Sequence, residues 1–260
     1  MTAGPGDSPF ADRVVIVLGK ARSGTTWLVQ LLAAHPDFAS LSWESTVFYG
    51  LIDLWESAHR SDGEGVCAYM HPDRLVGGMR SFCDRTFAVT AEGHSAERPW
   101  FIEKTPDNVS RLPLVAAVYP DAWFIHLLRD GRDVARSQVV APWGTDDAAE
   151  AANHWVKAVR QVQRHRWRLQ RFREIRYEDL VADPVGEASA LWRWMGIDVG
   201  DEAAQLIAER VPEEVARYGA SDRIGPGKWT QMSADELAGV YRVAGGTLAE
   251  LGYLDGTHGG

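Results

Sequence analysis

Cysteine is scarce here, with Cys67 and Cys83 the only two in 260 residues. A chain of this length buries enough apolar surface to fold without cross-links, so both thiols are expected to be reduced, in a cytoplasmic setting. Long apolar runs are missing as well. Met1 to Arg13 is small and polar, and the first apolar stretch, Val14 to Leu18, is too short for a signal-sequence core or a membrane span. Neither export nor membrane insertion is expected. There is no cationic excess: 27 Lys and Arg against 36 Asp and Glu leave a net charge of −9. That argues against a general nucleic-acid binder, which needs a basic surface, and leaves room only for a local basic pocket around a small anion. The eight histidines are scattered, and neither H-E-x-x-H nor C-x-x-C occurs, so no metal centre is expected. G-x-S-x-G is also absent, which removes the usual serine-hydrolase reading.

What is present is an alternation of strand and helix. Val14 to Leu18 is a β-branched run ending at Gly19, as in a strand buried on both faces. Trp27, Leu28, Leu31 and Leu32 then form a helical stripe that His35-Pro36 stops. Further strands are expected at Trp100 to Ile102, Trp123 to Leu128 and Glu174 to Arg176, each followed by helix-compatible sequence. The pattern predicts an α/β fold: a single domain over residues 13–254, with a central parallel β-sheet flanked by helices and ligands beyond the carboxyl ends of the strands. Met1 to Asp12 and Asp255 to Gly260 are expected to be flexible. Ala148 to Arg171 lacks Gly and Pro and is expected to form one long helix. Its Lys157, Arg160, Arg164, Arg168 and Arg171 read as a solvated basic face, with a site for an acidic partner as the alternative. The eleven tryptophans read as core or pocket wall.

Gly19-Lys20-Ala21-Arg22-Ser23-Gly24-Thr25-Thr26 follows the first strand and opens the first helix, so its N–H groups can converge on an anion. The spacing is that of the nucleoside-triphosphatase loop G-x-x-x-x-G-K-[ST], but Thr25 stands where that loop needs lysine. An ordinary ATPase is thereby disfavoured. The loop suits a single phosphate bearing a transferable group; a plain tight turn is the alternative.

Arg22-Ser23-Gly24-Thr25-Thr26-Trp27 resembles the 5′-phosphosulfate loop of the sulfotransferases that use 3′-phosphoadenosine 5′-phosphosulfate. Phe124-Ile125-His126-Leu127-Leu128-Arg129-Asp130-Gly131-Arg132-Asp133-Val134-Ala135-Arg136-Ser137 is similar to the same family's motif for the 3′-phosphate. That motif places an Arg at the strand end and a Ser eight residues on, which here are Arg129 and Ser137. An Arg fork suits phosphate oxygens, and a Ser two turns into the next helix can reach the same anion. On its own Arg129 would equally serve as an ion-pair partner of Asp130 or Asp133. The resemblance implies a P-loop-like sulfotransferase fold, that donor as co-substrate and no metal.

Lys104, in Glu103-Lys104-Thr105-Pro106 at the end of the second expected strand, is the catalytic candidate. An ammonium there would stabilise the charge that develops on the leaving phosphate, and the resemblance implies the same role; a solvated strand-end lysine is the alternative. The cytosolic branch of the family carries a catalytic His where this chain has Pro106, so another base is needed. Glu44, within Trp43-Glu44-Ser45-Thr46 after a His35-Pro36-Asp37 turn, resembles the glutamate base of the tyrosylprotein branch. A carboxylate beside Trp43 is suited to accept a proton near neutrality. His71, His94 and Asp107 are the other candidates. Ile175-Arg176-Tyr177-Glu178-Asp179-Leu180 resembles the segment that brings a tyrosine to the nucleotide, which assigns Tyr177 there; core packing is the alternative. Ser221-Asp222-Arg223-Ile224-Gly225-Pro226-Gly227-Lys228-Trp229 resembles the glycine-rich segment that closes over the donor, which carries over Ser221, Arg223 and Lys228. A plain mobile loop is the alternative there.

Transfer to a hydroxyl of a small-molecule acceptor, such as a natural product, is the expected reaction, and the Ala-, Arg- and Trp-rich composition looks bacterial. Acceptor contacts are expected between about Phe48 and Arg98 and between Ala141 and Trp155. Phe48, Tyr49, Trp55, Tyr69, Phe82 and Trp143 suggest an apolar or aromatic acceptor, though they fit a core equally. Two other classes stay open: an ATP- and magnesium-dependent small-molecule kinase, and a nucleotide-binding protein without turnover.

Overall fold

The computed structural model of the chain describes residues 10, 12–40, 44–58, 65–92, 99–200, 205, 208–209 and 225–254. Five strands lie in one parallel sheet: β1 (Val14–Leu18), β2 (Phe38–Ser40), β3 (Trp100–Glu103), β4 (Trp123–Leu128) and β5 (Arg171–Arg176). Their order is β2-β3-β1-β4-β5. All five residues of β1 are buried, as its β-branched sequence requires of a central parallel strand. The register pairs Ile16 with Glu103 on one side and Leu18 with His126 on the other. The carboxyl ends of β1, β3 and β4 therefore fall on one edge, where Gly19, Lys104 and Arg129 leave the sheet.

Alternation along the strands divides the core. Val15, Val17, Ile102, Ile125 and Leu127 face α1 (Thr25–Leu32) and the later helix Pro184–Trp194. Val14, Ile16, Leu18, Phe101 and Phe124 face α2 (Val47–Ala58), α3 (Pro72–Ala88) and α4 (Leu112–Val118). A third cluster joins α5 (Gly131–Val139) and α6 (Ala148–His165) to the carboxyl-terminal helix Ala234–Glu250 through Trp155, Val159, Val240 and Leu248. Chain order makes Tyr177–Ala182 α7, Pro184–Trp194 α8 and Ala234–Glu250 α9 among the described residues. Both thiols are free, and no described helix is long and apolar enough to cross a membrane.

Three expectations change. β2 was not foreseen: three residues carry too little periodicity, and the strand is fixed by pairing with β3 and by Phe38 stacking on Trp100 with ring centroids 5.8 Å apart. The long helix ends at His165 rather than Arg171. A 3-10 turn, Arg166–Arg168, follows, and the Trp167 indole N–H donates to the Arg164 carbonyl at 2.8 Å, satisfying a helix-end acceptor. β5 then starts at Arg171, opposite Trp123, whose ring lies 4.6 Å from its guanidinium. Finally, Phe10 and Asp12, in the stretch expected to be flexible, are tied in: Phe10 is buried against Phe101, and the Asp12 carbonyl accepts from the Trp123 indole at 3.2 Å. The rest of that stretch and residues 255–260 lie outside the described residues.

Candidate functional site

Two residues with positive φ, Arg22 at 79° and Gly24 at 93°, turn the chain from β1 into α1. Gly24 has no substitute: a Cβ there would fall 2.6 Å from the Tyr177 ring. The first N–H groups of α1 have no carbonyl partner within the helix and carry its positive dipole end. Arg22, Gly24, Thr25, Thr26 and Trp27 line a cavity of about 230 Å³ with Arg129, Ser137 and Tyr177. Ser23 does not line it. Its side chain is buried and its N–H closes the loop onto the Lys20 carbonyl at 2.9 Å.

Arg129 joins the two phosphate-type motifs. Its guanidinium donates to the Arg22 carbonyl at 3.0 Å and to the Gly225 carbonyl at 3.1 Å, and lies 4.1 Å from the Tyr177 ring centroid. Arg22 Nε in turn donates to Ser137 Oγ at 2.8 Å, across 115 positions of sequence. Tyr177 is therefore both core and site: it is 2% exposed, and its hydroxyl accepts from the Gly225 N–H at 3.1 Å. Of the two ion-pair partners open to Arg129 from sequence, Asp133 holds it, and Asp130 pairs with Arg132 instead. Asp133, fully buried one turn into α5, lies 3.5 Å from the guanidinium and accepts from the Gly227 and Trp229 N–H groups, both at 2.9 Å. Burial pushes the Asp133 carboxyl up, while Arg129 and these N–H groups pull it down. Arg136 was missed. With Arg22, Arg129, Ser137 and Lys228 it lines a neighbouring cavity of about 480 Å³, and the Nε atoms of Arg129 and Arg136 are buried without a hydrogen-bond partner among the described residues. Its position beside Ser137 in the motif was the available signal. Ser221 and Arg223 lie outside the described residues.

At the end of β3, Lys104 Nζ lies 3.2 Å from Glu44 Oε1. The two catalytic candidates, the charge-stabilising lysine and the base, 60 positions apart, thus form one pair beside the loop. Glu44 is about half exposed, Trp43 lies outside the described residues, and what holds Glu44 comes instead from Glu103. The Glu103 carboxylate, fully buried, accepts from Ser45 Oγ at 2.6 Å, Thr105 Oγ1 at 2.8 Å and Asn108 Nδ2 at 2.6 Å. It ties the residue after Glu44 to the residue before and the residue after Lys104. Burial pushes Glu103 up; the Ser45 and Thr105 hydroxyls oppose that. Of the other base candidates, His71 is the exposed N-cap of α3 and lines none of these cavities. His94 lies outside the described residues. Asp107 lines the third cavity and pairs with Arg111.

That third cavity, of about 810 Å³, shares Ala21, Glu44, Pro106 and Trp143 with the loop cavity. Only Trp143 lines all three. Of the six aromatic residues expected around an acceptor, Tyr49 and Trp143 line it; Phe48 is core, Trp55 packs against the core, and Tyr69 and Phe82 are exposed elsewhere. The helix face expected to be solvated supplies the rest: His154, Lys157, Arg160, Gln161 and Arg164 of α6 form one wall. Arg168 and Arg171 have left the helix and do not take part.

The loop, an Arg-rich pocket on one side of it and a carboxylate–ammonium pair on the other make an arrangement that can bind a doubly phosphorylated anion and act on a hydroxyl beside it. The model of the Sulfotransferase family matches residues 14–201. The chain is similar to protein-tyrosine sulfotransferase 1 of Mus musculus, 25% identical over 56% of this chain and 40% of that one. It is also similar to omega-hydroxy-beta-dihydromenaquinone-9 sulfotransferase of Mycobacterium bovis, 28% identical over 43% of this chain and 32% of that one. The chain thus spans less than half the length of these two curated relatives. In fold it resembles a Mycobacterium avium sulfotransferase, with a TM-score of 0.53 and 14% identity over 92% of this chain and 76% of that one. A sulfotransferase domain from the curacin biosynthetic pathway gives 0.50 and 18%, over 74% and 76%.

Proposed function

Since the chain belongs to the Sulfotransferase family, we propose that it transfers a sulfuryl group from 3′-phosphoadenosine 5′-phosphosulfate to a hydroxyl of a small-molecule acceptor, giving a sulfate ester and adenosine 3′,5′-bisphosphate. The observation that carries this is the meeting of two anion sites through the Arg22–Ser137 hydrogen bond and Arg129. The Arg129 and Arg136 side chains lining one cavity with Arg22, Ser137 and Lys228 supply the concentration of cations such a donor needs. Arg22, Gly24, Thr25, Thr26 and Trp27 would hold the 5′-phosphosulfate; Arg129, Arg136, Ser137 and Lys228 would hold the 3′-phosphate, with Ser221 and Arg223 added by motif. Tyr177 would stand beside the nucleotide.

The donor, when bound, supplies an electrophilic sulfur and a bisphosphate leaving group. Glu44 takes the proton from the acceptor hydroxyl as oxygen attacks, and Lys104 and the α1 N–H groups stabilise the charge that grows on the leaving oxygen. Because Lys104 and Glu44 start 3.2 Å apart, a proton accepted by Glu44 frees the ammonium for that second role. An ATP-dependent kinase is disfavoured by Thr25, which stands where a triphosphate loop needs lysine.

Titration calorimetry with adenosine 3′,5′-bisphosphate, run beside magnesium-ATP, tests the donor. Micromolar bisphosphate affinity that falls by tenfold or more in Arg136→Ala and Ser137→Ala is expected; no binding, or a preference for magnesium-ATP, overturns the reading. Glu44→Gln should keep bisphosphate affinity and lose turnover.

A further inference from the structure

The acceptor cavity is charged in a way the chain as a whole is not. The protein carries a net −9, yet the side chains lining this cavity include Lys20, Lys157, Arg160 and Arg164 against two acids, Glu44 and Asp107. Both acids already face cations, Glu44 with Lys104 and Asp107 with Arg111. Among the cations, Arg160 is engaged by Glu250 at 2.6 Å and by Thr247 at 3.3 Å. Lys157 and Arg164, on either side of it along α6, have no acidic partner within 4.0 Å among the described residues. They stand seven positions apart on the helix, about 10 Å along its axis. The opposite face of α6, with Ala151, Ala152, Trp155, Val159 and Val162, is buried in the core, so the helix cannot roll these cations away. Trp143, just ahead of α6, is shared with the loop cavity, which puts the amino-terminal end of the helix nearer the donor and Arg164 at the other end.

Resting on the sulfotransferase reading above, we infer that the acceptor is a small molecule carrying an anionic group, a carboxylate or a phosphate, remote from the hydroxyl that is sulfated. Lys157 and Arg164 bind that group, while the hydroxyl points to Glu44. A volume of about 810 Å³ falls in the range of sites for one small molecule. The apolar part of the wall, Tyr49, Val109, Pro106 and Trp143 with Ala21 and Ala158, is enough to hold a ring or short aliphatic body between the two polar ends.

The test uses three matched phenols as probes: 4-hydroxyphenylacetate, 4-hydroxyphenyl phosphate and the neutral 4-hydroxyphenylacetamide. Each is titrated into the protein with and without saturating adenosine 3′,5′-bisphosphate, at low and at high salt. At least one anion should bind about fivefold or more tighter than the amide. The preference should shrink below twofold in Lys157→Ala/Arg164→Ala and at 0.5 M NaCl, with bisphosphate affinity unchanged in that variant. Carboxylate and phosphate preferences are read separately, so the source of the charge is resolved. Equal binding of amide and anions, or an anion preference that survives the double substitution, overturns the inference. Tighter binding of a glutamate-flanked tyrosyl peptide than of either small anion overturns its small-molecule part. Failure of the bisphosphate itself to bind would instead sink the donor reading, while the anion preference of the unloaded protein still decides this one.

Discussion

The two sides of the site handle the same electrostatic problem differently. On the donor side, cations and acceptors are buried and hold one another in place: Arg129 is 3% exposed, its partner Asp133 is fully buried, and Arg22 is bonded to Ser137. On the acceptor side, Lys157 and Arg164 stand exposed on a helix face. A preorganised pocket does not reorganise when charge develops, which favours catalysis on a fixed co-substrate. An open wall of long side chains gives up that advantage and gains tolerance of shape. The difference teaches that the cavity around Arg129 is braced by buried, mutually bonded side chains, while the proposed acceptor wall is built largely from exposed ones.

Lys104 sits at the boundary, and removing it should have the largest effect. Lys104→Ala is expected to lower kcat by about 10²–10³-fold while bisphosphate affinity, measured by calorimetry, stays within about twofold. A parallel loss of bisphosphate affinity would place Lys104 in the donor framework and blur the comparison. Next is Asp133→Ala, which leaves Arg129 as an uncompensated buried cation and frees the Gly227 and Trp229 N–H groups. A loss of about 3 kcal/mol in denaturant unfolding is expected, with weaker bisphosphate binding as the 227–231 turn loosens. An Asp133→Ala protein of unchanged stability would mean the donor side is not the rigid half.

This contrast also explains what could be read before the fold was known. β1 and the loop were legible because their demands are local, a β-branched run and a glycine-bounded turn into a helix, and Arg129 and Ser137 because they stand at the spacing of the motif that this stretch resembles. Lys104 was legible from its place at a strand end. The supports were not. Glu103 looks like any strand-end acid until Ser45, Thr105 and Asn108 surround it, and Asp133 looks like an exposed helix acid until Gly227 and Trp229 arrive from 94 and 96 positions away. The basic face of α6 read as solvated, and Lys157, Arg160 and Arg164 are exposed, but that they also line a cavity was not legible. Helical periodicity identifies a basic face but not what lies opposite it, and the packing of α6 beside Pro106 and Asp107 makes this exposed stripe one side of a cavity as well.

Glu103 offers a finer cut between support and chemistry. Glu103→Ala strands three donors in the core and should cost about 2 kcal/mol, with a drop of about tenfold in kcat/KM as Glu44 and Lys104 lose their common anchor. Glu103→Gln should keep most of both, because the Ser45 and Thr105 hydroxyls can rotate to accept from the amide. The pH dependence has a definite sign. Burial raises the carboxyl in the folded state, so its contribution is full below the ordinary glutamate range and is lost as pH rises through the raised value. Unfolding curves should therefore show the Gln variant gaining on the native protein as pH increases. The opposite slope would mean that the three donors outweigh burial.

The smallest effect expected is also the one that separates stability from function on the acceptor side. Lys20 lines the acceptor cavity, and burial pushes its ammonium below lysine's ordinary 10.5, with Asp107 opposing the shift. A lowered lysine withholds stability at neutral pH: its contribution is full above 10.5 and is lost as pH falls through the folded value. Lys20→Met should then raise Tm at pH 7 by about 1 °C, an advantage that fades as pH approaches 10. If the acceptor wall retains cations for binding, the same substitution weakens the preference for 4-hydroxyphenylacetate over its amide while the protein becomes more stable. A variant that is stabilised and keeps the full preference would assign Lys20 to the donor loop alone, leaving Lys157 and Arg164 to carry the acceptor's charge.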